Sequence, residues 1–351
     1  MVAIAELGTS LAHEPTAGGF LRYLGLFVPI WWAWAGFTFY ATRFDTDDLI
    51  YRVATLAGMF GVAVVASRVP QAFHGHGNGF VVAYIGIRLV LVLLYARARR
   101  NVERARRLAS WFIAMFSTAI VLWGVSLVVA SPWKYVLWGV ALAFELGAPP
   151  RAWRLIRDAP IDPAHIPERF GLLTIIVLGE AVIAVVLGTV NVSWTLSTGS
   201  TALAGFLAAA AIWWIYFEFF DASVVTRGVL RGLTFVYAHY FVAVGIAAAG
   251  VGVRLTIHSA AHGSRYEHVG WVVAGGTALC MLGLGVIQLA TPPTMVDADV
   301  ALRFATAVFA AVLAALAHVV SPVLVLWLLA VSLLVQVVVE LAGHERHTPA
   351  S

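Results

Sequence analysis

Residues 170–190 read FGLLTIIVLGEAVIAVVLGTV, and the only charged side chain in this run is Glu180. A helix that crosses a bilayer needs about 20 consecutive, mostly apolar residues. The run therefore predicts a membrane-spanning helix with one carboxylate near its middle. Such a carboxylate is costly in lipid, so its position is the first indication of a functional or structural polar site.

The rest of the chain has the same character, with 61% hydrophobic and 11% charged residues in a length of 351. Soluble domains carry about 25% charged residues, so lipid is the expected solvent for most of this surface. The sequence predicts an all-α polytopic membrane protein with eleven full transmembrane helices. These spans lie near residues 20–41, 49–68, 79–97, 108–130, 133–149, 170–190, 199–220, 232–253, 269–290, 300–319 and 322–341.

Residues 1–12 are apolar but only about half as long as a span. They predict a partial N-terminal helix, and we expect an in-frame upstream start that adds about 10 to 20 residues and completes it. Pro322 separates the last two spans, because proline ends a helix or begins a new one.

The distribution of arginine predicts the orientation of the chain. Six arginines lie in the connection after the third span, namely Arg97, Arg99, Arg100, Arg104, Arg106 and Arg107. Such clusters stay in the cytoplasm, and alternation from there also places the C-terminus inside. We expect a multi-pass protein of the bacterial cytoplasmic membrane. Topology explains these charges without a nucleic-acid partner, and contact with lipid head groups remains open as an added role.

Similar features recur in one order about six helices apart. Each half has a glutamate after an aliphatic run, a tryptophan pair, an aspartate and a tyrosine: Glu6, Trp31, Trp32, Asp45 and Tyr51, then Glu180, Trp213, Trp214, Asp221 and Tyr237. An even number of helices per unit keeps both units in the same orientation. The sequence predicts two parallel six-helix repeats, residues 1–165 and 166–351. Chance similarity in a chain rich in Ala, Val and Gly is the alternative.

Ionisable side chains inside the spans define a predicted substrate or ion pathway, because a charge at the bilayer centre costs at least about 2.5 kcal/mol. The candidates are Glu6, Arg88, Glu180, Glu218 and His239. Glu6 and Glu180 are expected to be pseudo-symmetric partners, with Arg88 as their counter-charge. The alternative for each is a buried ion pair that fixes the register of the helices.

For Glu145, Glu218 and His239 we favour a structural role over a role in transport. Glu145 and Glu218 lie late in their spans, from where they can reach interfacial water. A single histidine in a helix, such as His239, more often packs with a hydrogen bond than titrates in a mechanism.

No catalytic, metal or cofactor site is expected. The pairs His74/His76 and His258/His262 lack a third ligand nearby. Phosphate loops, dinucleotide fingerprints and nucleophile elbows are absent from the sequence. A residual alternative is acid–base chemistry by His165 and Glu168, which more simply orient the start of a helix.

The segment HIPERFGLLTIIVLGE, residues 165–180, resembles the signature helix of the bacterial low-temperature-requirement A (LtrA) family. Residues 31–34, WWAW, with 43–48, RFDTDD, resemble the second helix and inner loop of that family. The resemblance implies a multi-span architecture and directs attention to Glu6, Glu180 and the motif residues His165, Glu168, Arg169 and Phe170. Family members usually open with an acidic and aromatic run that this sequence lacks. The resemblance implies no reaction.

The leading functional hypothesis is a secondary transporter or ion-conducting protein with a buried Glu/Arg site between the two repeats. A non-transporting membrane protein that adapts the bilayer or envelope to cold is the alternative, and a membrane-embedded enzyme comes third. The expected partners are the lipid bilayer and a small solute or ion of unidentified chemistry, with a homo-oligomer left open.

Overall fold

A computed structural model describes residues 1–44, 48–158, 165–190, 192–218, 228–263, 269–290 and 298–347. Across these residues the chain forms thirteen α-helices and one short 3-10 helix, Glu103–Ala105, with no strand. In chain order the α-helices are α1 Val2–His13, α2 Ala17–Phe44, α3 Leu49–Phe73, α4 Asn78–Asn101, α5 Arg106–Val125, α6 Trp133–Arg151, α7 Trp153–Asp158, α8 His165–Thr189, α9 Leu196–Glu218, α10 Val229–His262, α11 Gly270–Leu289, α12 Ala298–Leu316 and α13 Pro322–His347.

The prediction of an all-α polytopic membrane protein is confirmed. Ten helices in the described part of the chain are long and apolar enough to cross a membrane. Each coincides with one of the eleven predicted spans. The eleventh, at 133–149, is the helix α6, whose composition is too polar for that set. Its first turn contains Lys134, its second half Glu145 and its end two prolines.

The last two spans are separate helices, as Pro322 predicts. Pro322 is the first residue of α13, where a missing N–H costs nothing and the fixed φ suits a helix. Ser321 precedes it and accepts hydrogen bonds from the next turn, at its hydroxyl from the Leu324 amide (3.3 Å) and at its carbonyl from the Val325 amide (3.0 Å). This capping satisfies two amides at the start of α13.

Helix α10 lies at the centre of the bundle and packs against α8, α9, α11 and α1. Glycines bring α10 and α11 into backbone contact. A Cβ atom at Gly245 would lie 2.5 Å from the Cys280 amide nitrogen, and one at Gly252 would lie 2.3 Å from that of Val273. Small residues allow this approach between membrane helices.

Two tyrosines tie α2 to α10 by reciprocal hydrogen bonds. Tyr23 of α2 donates to the Val244 carbonyl of α10 (2.9 Å), and Tyr240 of α10 donates to the Leu24 carbonyl of α2 (2.7 Å). A tyrosine hydroxyl inside a membrane bundle needs such an acceptor. The two halves of the chain are therefore joined at the level of α2 and α10.

One set of helix neighbours occurs twice along the chain. In the first half α3 packs against α1 and α4, and α5 packs against α4 and α6. In the second half α10 packs against α8 and α11, and α12 packs against α11 and α13. The helices of the two sets follow one another in the same order along the chain if α7 is counted as a linker between them.

Candidate functional site

Arg88 and Glu145 form an ion pair inside the bundle. Arg88 lies at the middle of α4 and Glu145 in the second half of α6. The Arg88 Nη2 and Glu145 Oε2 atoms are 2.5 Å apart, and both side chains are 0% exposed. We expected Arg88 to be the counter-charge of Glu6 and Glu180, and we expected Glu145 to reach interfacial water. The structure corrects both expectations, because the two residues meet only when α4 and α6 pack around α5.

Two aromatic side chains complete this pair. The Tyr84 hydroxyl accepts from Arg88 Nε (2.9 Å) and donates to Glu145 Oε2 (2.6 Å), while Trp123 Nε1 donates to Glu145 Oε1 (3.1 Å). Both carboxylate oxygens thus have donors. Hydrogen bonds of this kind to both members help to make a buried charge pair tolerable. We refer to Tyr84, Arg88, Trp123 and Glu145 as the Arg88 network.

Gly36 of α2 makes room for this network. A Cβ atom there would lie 3.0 Å from Arg88 Nη1 and 2.8 Å from Leu91 Cδ2. Arg88 Nη1 itself has no hydrogen-bond partner among the described residues. A larger residue at position 36 would therefore press on the only nitrogen of the guanidinium that the network leaves without an acceptor.

Glu6 and Glu180 lie at a common depth beside α10. The ideal Cβ of Gly8, two residues after Glu6, would lie 3.1 Å from Val251 Cγ2. That of Gly250 would lie 2.8 Å from the Cα of Ala181, directly after Glu180. The pseudo-symmetric placement predicted for the two glutamates is consistent with these contacts. They do not pair with Arg88.

Glu180 and Glu6 are partly exposed, in contrast to Glu145. Neither has a hydrogen-bond or ion-pair partner among the described side chains. Glu180 is close enough to the Met1 amino group to interact with its charge. A carboxylate of this kind can exchange a proton or a ligand, whereas Glu145 is held by three donor groups.

A cavity of about 510 Å³ lies between the ends of α1, α2, α3 and α8. It is largely apolar and aromatic, and its polar lining includes Arg169, Thr38, Tyr51, Thr55 and Trp31. We refer to it as the Arg169 cavity. Its volume is within the usual range of small-molecule sites, and apolar walls with a few polar groups are typical of them.

Arg169, Leu173 and Glu180 share one face of α8, because offsets of four and eleven residues return to the same side of a helix. Arg169 and Leu173 line the cavity, and so does Met1, whose amino group is near Glu180. Because each residue of a helix adds about 1.5 Å, the eleven positions from Arg169 to Glu180 separate them by about 16 Å along the helix axis. This face joins a family-motif residue to the mid-membrane carboxylate.

The other motif residues have different surroundings. His165 Nδ1 lies 3.4 Å from Glu168 Oε2 at the exposed start of α8. Phe170 is buried, and its ring centroid is 4.9 Å from those of both Trp34 and His239. His165 and Glu168 thus form a surface contact at the helix start, whereas Phe170 packs the core beside the cavity wall.

A second cavity, of about 780 Å³, lies between α2, α3, α5 and α6. Its lining includes Arg22, His74, Tyr135, Trp138 and Trp123. We refer to it as the Trp138 cavity. Trp123 has its indole N–H on Glu145, so this cavity reaches the edge of the Arg88 network. Helix α2 borders both cavities, with Pro29 on this one and Ile30 on the Arg169 cavity.

His239 and Glu218 contribute to neither cavity lining. His239 is buried, with Nε2 2.9 Å from the Tyr216 hydroxyl and Nδ1 2.7 Å from the Phe235 carbonyl. It has the hydrogen-bonded packing role weighed above as the alternative. Glu218 is exposed at the end of α9. Asp45 and Asp221, the aspartates of the predicted repeat, lie outside the described residues.

Sequence analysis missed a second buried network. Arg303 Nη2 of α12 donates to Glu340 Oε2 of α13 (3.2 Å), Gln336 Nε2 donates to Glu340 Oε1 (2.8 Å), and the Thr306 hydroxyl donates to Gln336 Oε1 (2.8 Å). All four side chains are buried. Arg303 lies near the start of its span, where an arginine is also expected from topology alone. The available signal was Gln336 and Glu340 at a spacing of four residues on one helical face.

Groups of three or more His, Cys, Asp or Glu side chains that could hold a metal ion are absent from the described ranges. His258 and His262 stack on one face of α10 with ring centroids 6.1 Å apart.

The geometry can now be compared with known proteins. The family model described as Bacterial low temperature requirement A protein (LtrA) matches residues 1–339. The chain belongs to the LtrA family. The resemblance of residues 165–180 and of the second helix is thereby confirmed, and the protein is a multi-pass bacterial membrane protein.

A curated relative from Rhizobium meliloti (strain 1021), Uncharacterized protein RA0937, is 30% identical over 228 residues. The match covers 62% of this chain and 55% of the relative, so the chain spans about half the length of that protein. The search of solved structures gave no match.

Proposed function

We propose that this LtrA protein is a secondary transporter or ion-conducting protein. Its solute path would run along the face of α8 that carries Arg169 and Glu180. The observation that carries the proposal is the difference between the intramembrane carboxylates. Glu145 and Glu340 are fully buried and hydrogen-bonded, whereas Glu180 is partly exposed and has no such partner among the described residues. Ionisable groups inside membrane spans commonly mark substrate or ion pathways, and one without such a partner is free to bind a solute.

The two cavities supply the space that such a path needs. With the Arg-rich connection in the cytoplasm, the Arg169 cavity faces inward and the Trp138 cavity faces outward. Helix α2 separates them, and Pro29 interrupts it there, because proline cannot donate to the Gly25 carbonyl. We infer that α2 moves when the path changes the side to which it opens. The two six-helix repeats, residues 1–165 and 166–351, would supply the moving units.

A non-transporting role in envelope adaptation is the second candidate. The Arg88 network and the Arg303–Glu340 pair favour it, because closed buried networks fix helix positions without conducting anything. The two candidates differ in what Glu180 does. In a purely architectural protein, removing its charge would change stability alone.

Flux in proteoliposomes tests the proposal. The purified protein is reconstituted with an internal pH indicator and exposed to a panel of ions and small organic solutes. Solute-dependent flux that is lost in Glu180→Gln and kept in Glu103→Gln would support transport. Glu103 undergoes the same chemical change in the exposed connection between α4 and α5. Equal flux in protein-free vesicles would contradict it.

A further inference from the structure

The Arg169 cavity has walls suited to an apolar chain. Phe27, Ile30, Val62, Leu173 and Ala243 contribute to them, from four different helices. Met59 and Val2 border the same space and are exposed on the outside of the bundle. In a membrane-spanning chain that outside is lipid, so the cavity opens sideways toward the acyl chains of the bilayer.

The polar side chains of this cavity carry hydrogen-bond donors, and its described lining contains no Asp or Glu. Arg169 is exposed in the second turn of α8 and has no ion-pair partner among the described residues. Thr55 Oγ1 and Trp31 Nε1 are buried atoms that also lack a hydrogen-bond partner there, and Trp31 is only 3% exposed. Buried donors without acceptors are costly, so these two groups suit a ligand that brings acceptor atoms.

Arg169 and Thr55 lie near the same end of the cavity, while Trp31 lies deeper. Arg169 is the fifth residue of α8 and Thr55 the seventh of α3, two helices that begin on the same side of the membrane under strict alternation. Trp31 is near the middle of α2. A ligand with its charged oxygens at the first pair would extend an apolar body past Trp31.

We propose that the Arg169 cavity binds a single-chain amphipathic anion drawn from the bilayer, with its anionic head at Arg169 and Thr55 and its apolar chain between α1, α2, α3 and α8. This inference rests on the proposed function, for which it names the substrate class. Charge complementarity selects the head, because the described lining has a cation and hydroxyl and indole donors but no carboxylate. The apolar walls and the lateral opening select the chain.

The test is equilibrium binding to the delipidated full chain in a nonionic detergent, measured by tryptophan fluorescence. Three probes separate the sources of affinity: oleate has head and chain, oleyl alcohol has the chain alone, and acetate has the head alone. We expect saturable binding of oleate, with at least about tenfold weaker binding of the other two, as loss of a charge-assisted contact predicts.

Variants locate the site. Arg169→Gln should weaken oleate binding about tenfold, and Arg100→Gln, the same change at an exposed arginine outside the cavity, should leave it unchanged. Thr55→Val removes the hydroxyl, and Ala63→Leu fills space in the cavity wall without altering charge. Both should weaken binding, and thermal melting identifies a variant that fails to fold. If Arg169→Gln does not fold, the Ala63→Leu variant and the comparison of the three probes still test whether oleate binds in this cavity.

Equal binding of oleate and oleyl alcohol would overturn the inference, as would equal affinities of the Arg169→Gln and Arg100→Gln variants. Flux measurements on the same preparation separate this inference from the proposed function. Flux of another solute without oleate binding would overturn the inference about the ligand and leave the proposed transport function standing. Oleate binding without flux of any solute confirms the site and removes transport.

Discussion

The guanidinium of Arg88 and the carboxylate of Glu145 lie 2.5 Å apart with both side chains inaccessible to solvent. The pair closes the packing of α4, α5 and α6, because Trp123 of α5 donates to the same carboxylate. It therefore acts in the architecture of the first half. Glu180 has no such enclosure, and the proposed function assigns ligand exchange to it on the basis of this difference.

Neutralising one member of the Arg88 pair should destabilise the protein. Glu145→Gln leaves Arg88 as a buried, uncompensated charge, at a cost of about 3–5 kcal/mol. Arg88→Met should do the same to Glu145. The double variant should recover much of the loss, because it buries no lone charge. Thermal melting in detergent measures all three. Additive losses in the double variant would contradict a coupled pair.

Asp48 should make stability depend on pH at the start of α3. The Tyr51 backbone N–H (2.9 Å) and the Arg97 guanidinium hold the pKa of this carboxyl below its ordinary value of 3.8. A lowered folded-state pKa contributes stability above the unfolded-state pKa, and this contribution is lost as pH falls through the folded value. As the pH falls below the ordinary pKa of 3.8, wild type should lose stability more steeply than Asp48→Asn, as measured by thermal melting across a pH series.

The close contact between α10 and α11 should not tolerate a side chain. Gly252→Val would place carbon atoms on the backbone of Val273, and overpacking of this kind costs about 1–3 kcal/mol. Gly86→Ala is the matched control, because a Cβ there meets nothing within 4 Å on an exposed face of α4. The control should melt at the wild-type temperature or slightly above it. Equal melting of Gly252→Val and Gly86→Ala would contradict the packing.

The apolar runs carried most of the fold information. Each predicted span is a helix, because a helix lets a single apolar segment of about 20 residues make all its backbone hydrogen bonds internally in lipid. Pairing could not be predicted in the same way. Arg88 and Glu145 are 57 residues apart in sequence, and their contact depends on how α5 lies between their helices. The burial of Arg303 was missed for a related reason, since it depends on Glu340 of the next helix.

We predict the orientation of the chain from its arginines alone. A reporter fused after residue 103 should lie in the cytoplasm, and one fused after residue 195, between α8 and α9, should lie outside. The long helices between these points are α5, α6 and α8, and three crossings put the two fusions on opposite sides if all of them span the membrane. If both fusions reported the same side, this would contradict the predicted topology and the assignment of the two cavities to opposite faces of the membrane.

Flux through wild type, Glu180→Gln and Glu103→Gln, compared with their melting temperatures, tests the central claim most directly. Glu180 is partly exposed and lacks a hydrogen-bonded partner among the described residues, so its neutral amide should fold as wild type does. The account predicts unchanged melting and abolished flux for Glu180→Gln, with both properties kept in Glu103→Gln. A destabilised Glu180→Gln protein that retains wild-type flux once folded would contradict the account and leave Glu180 with an architectural role.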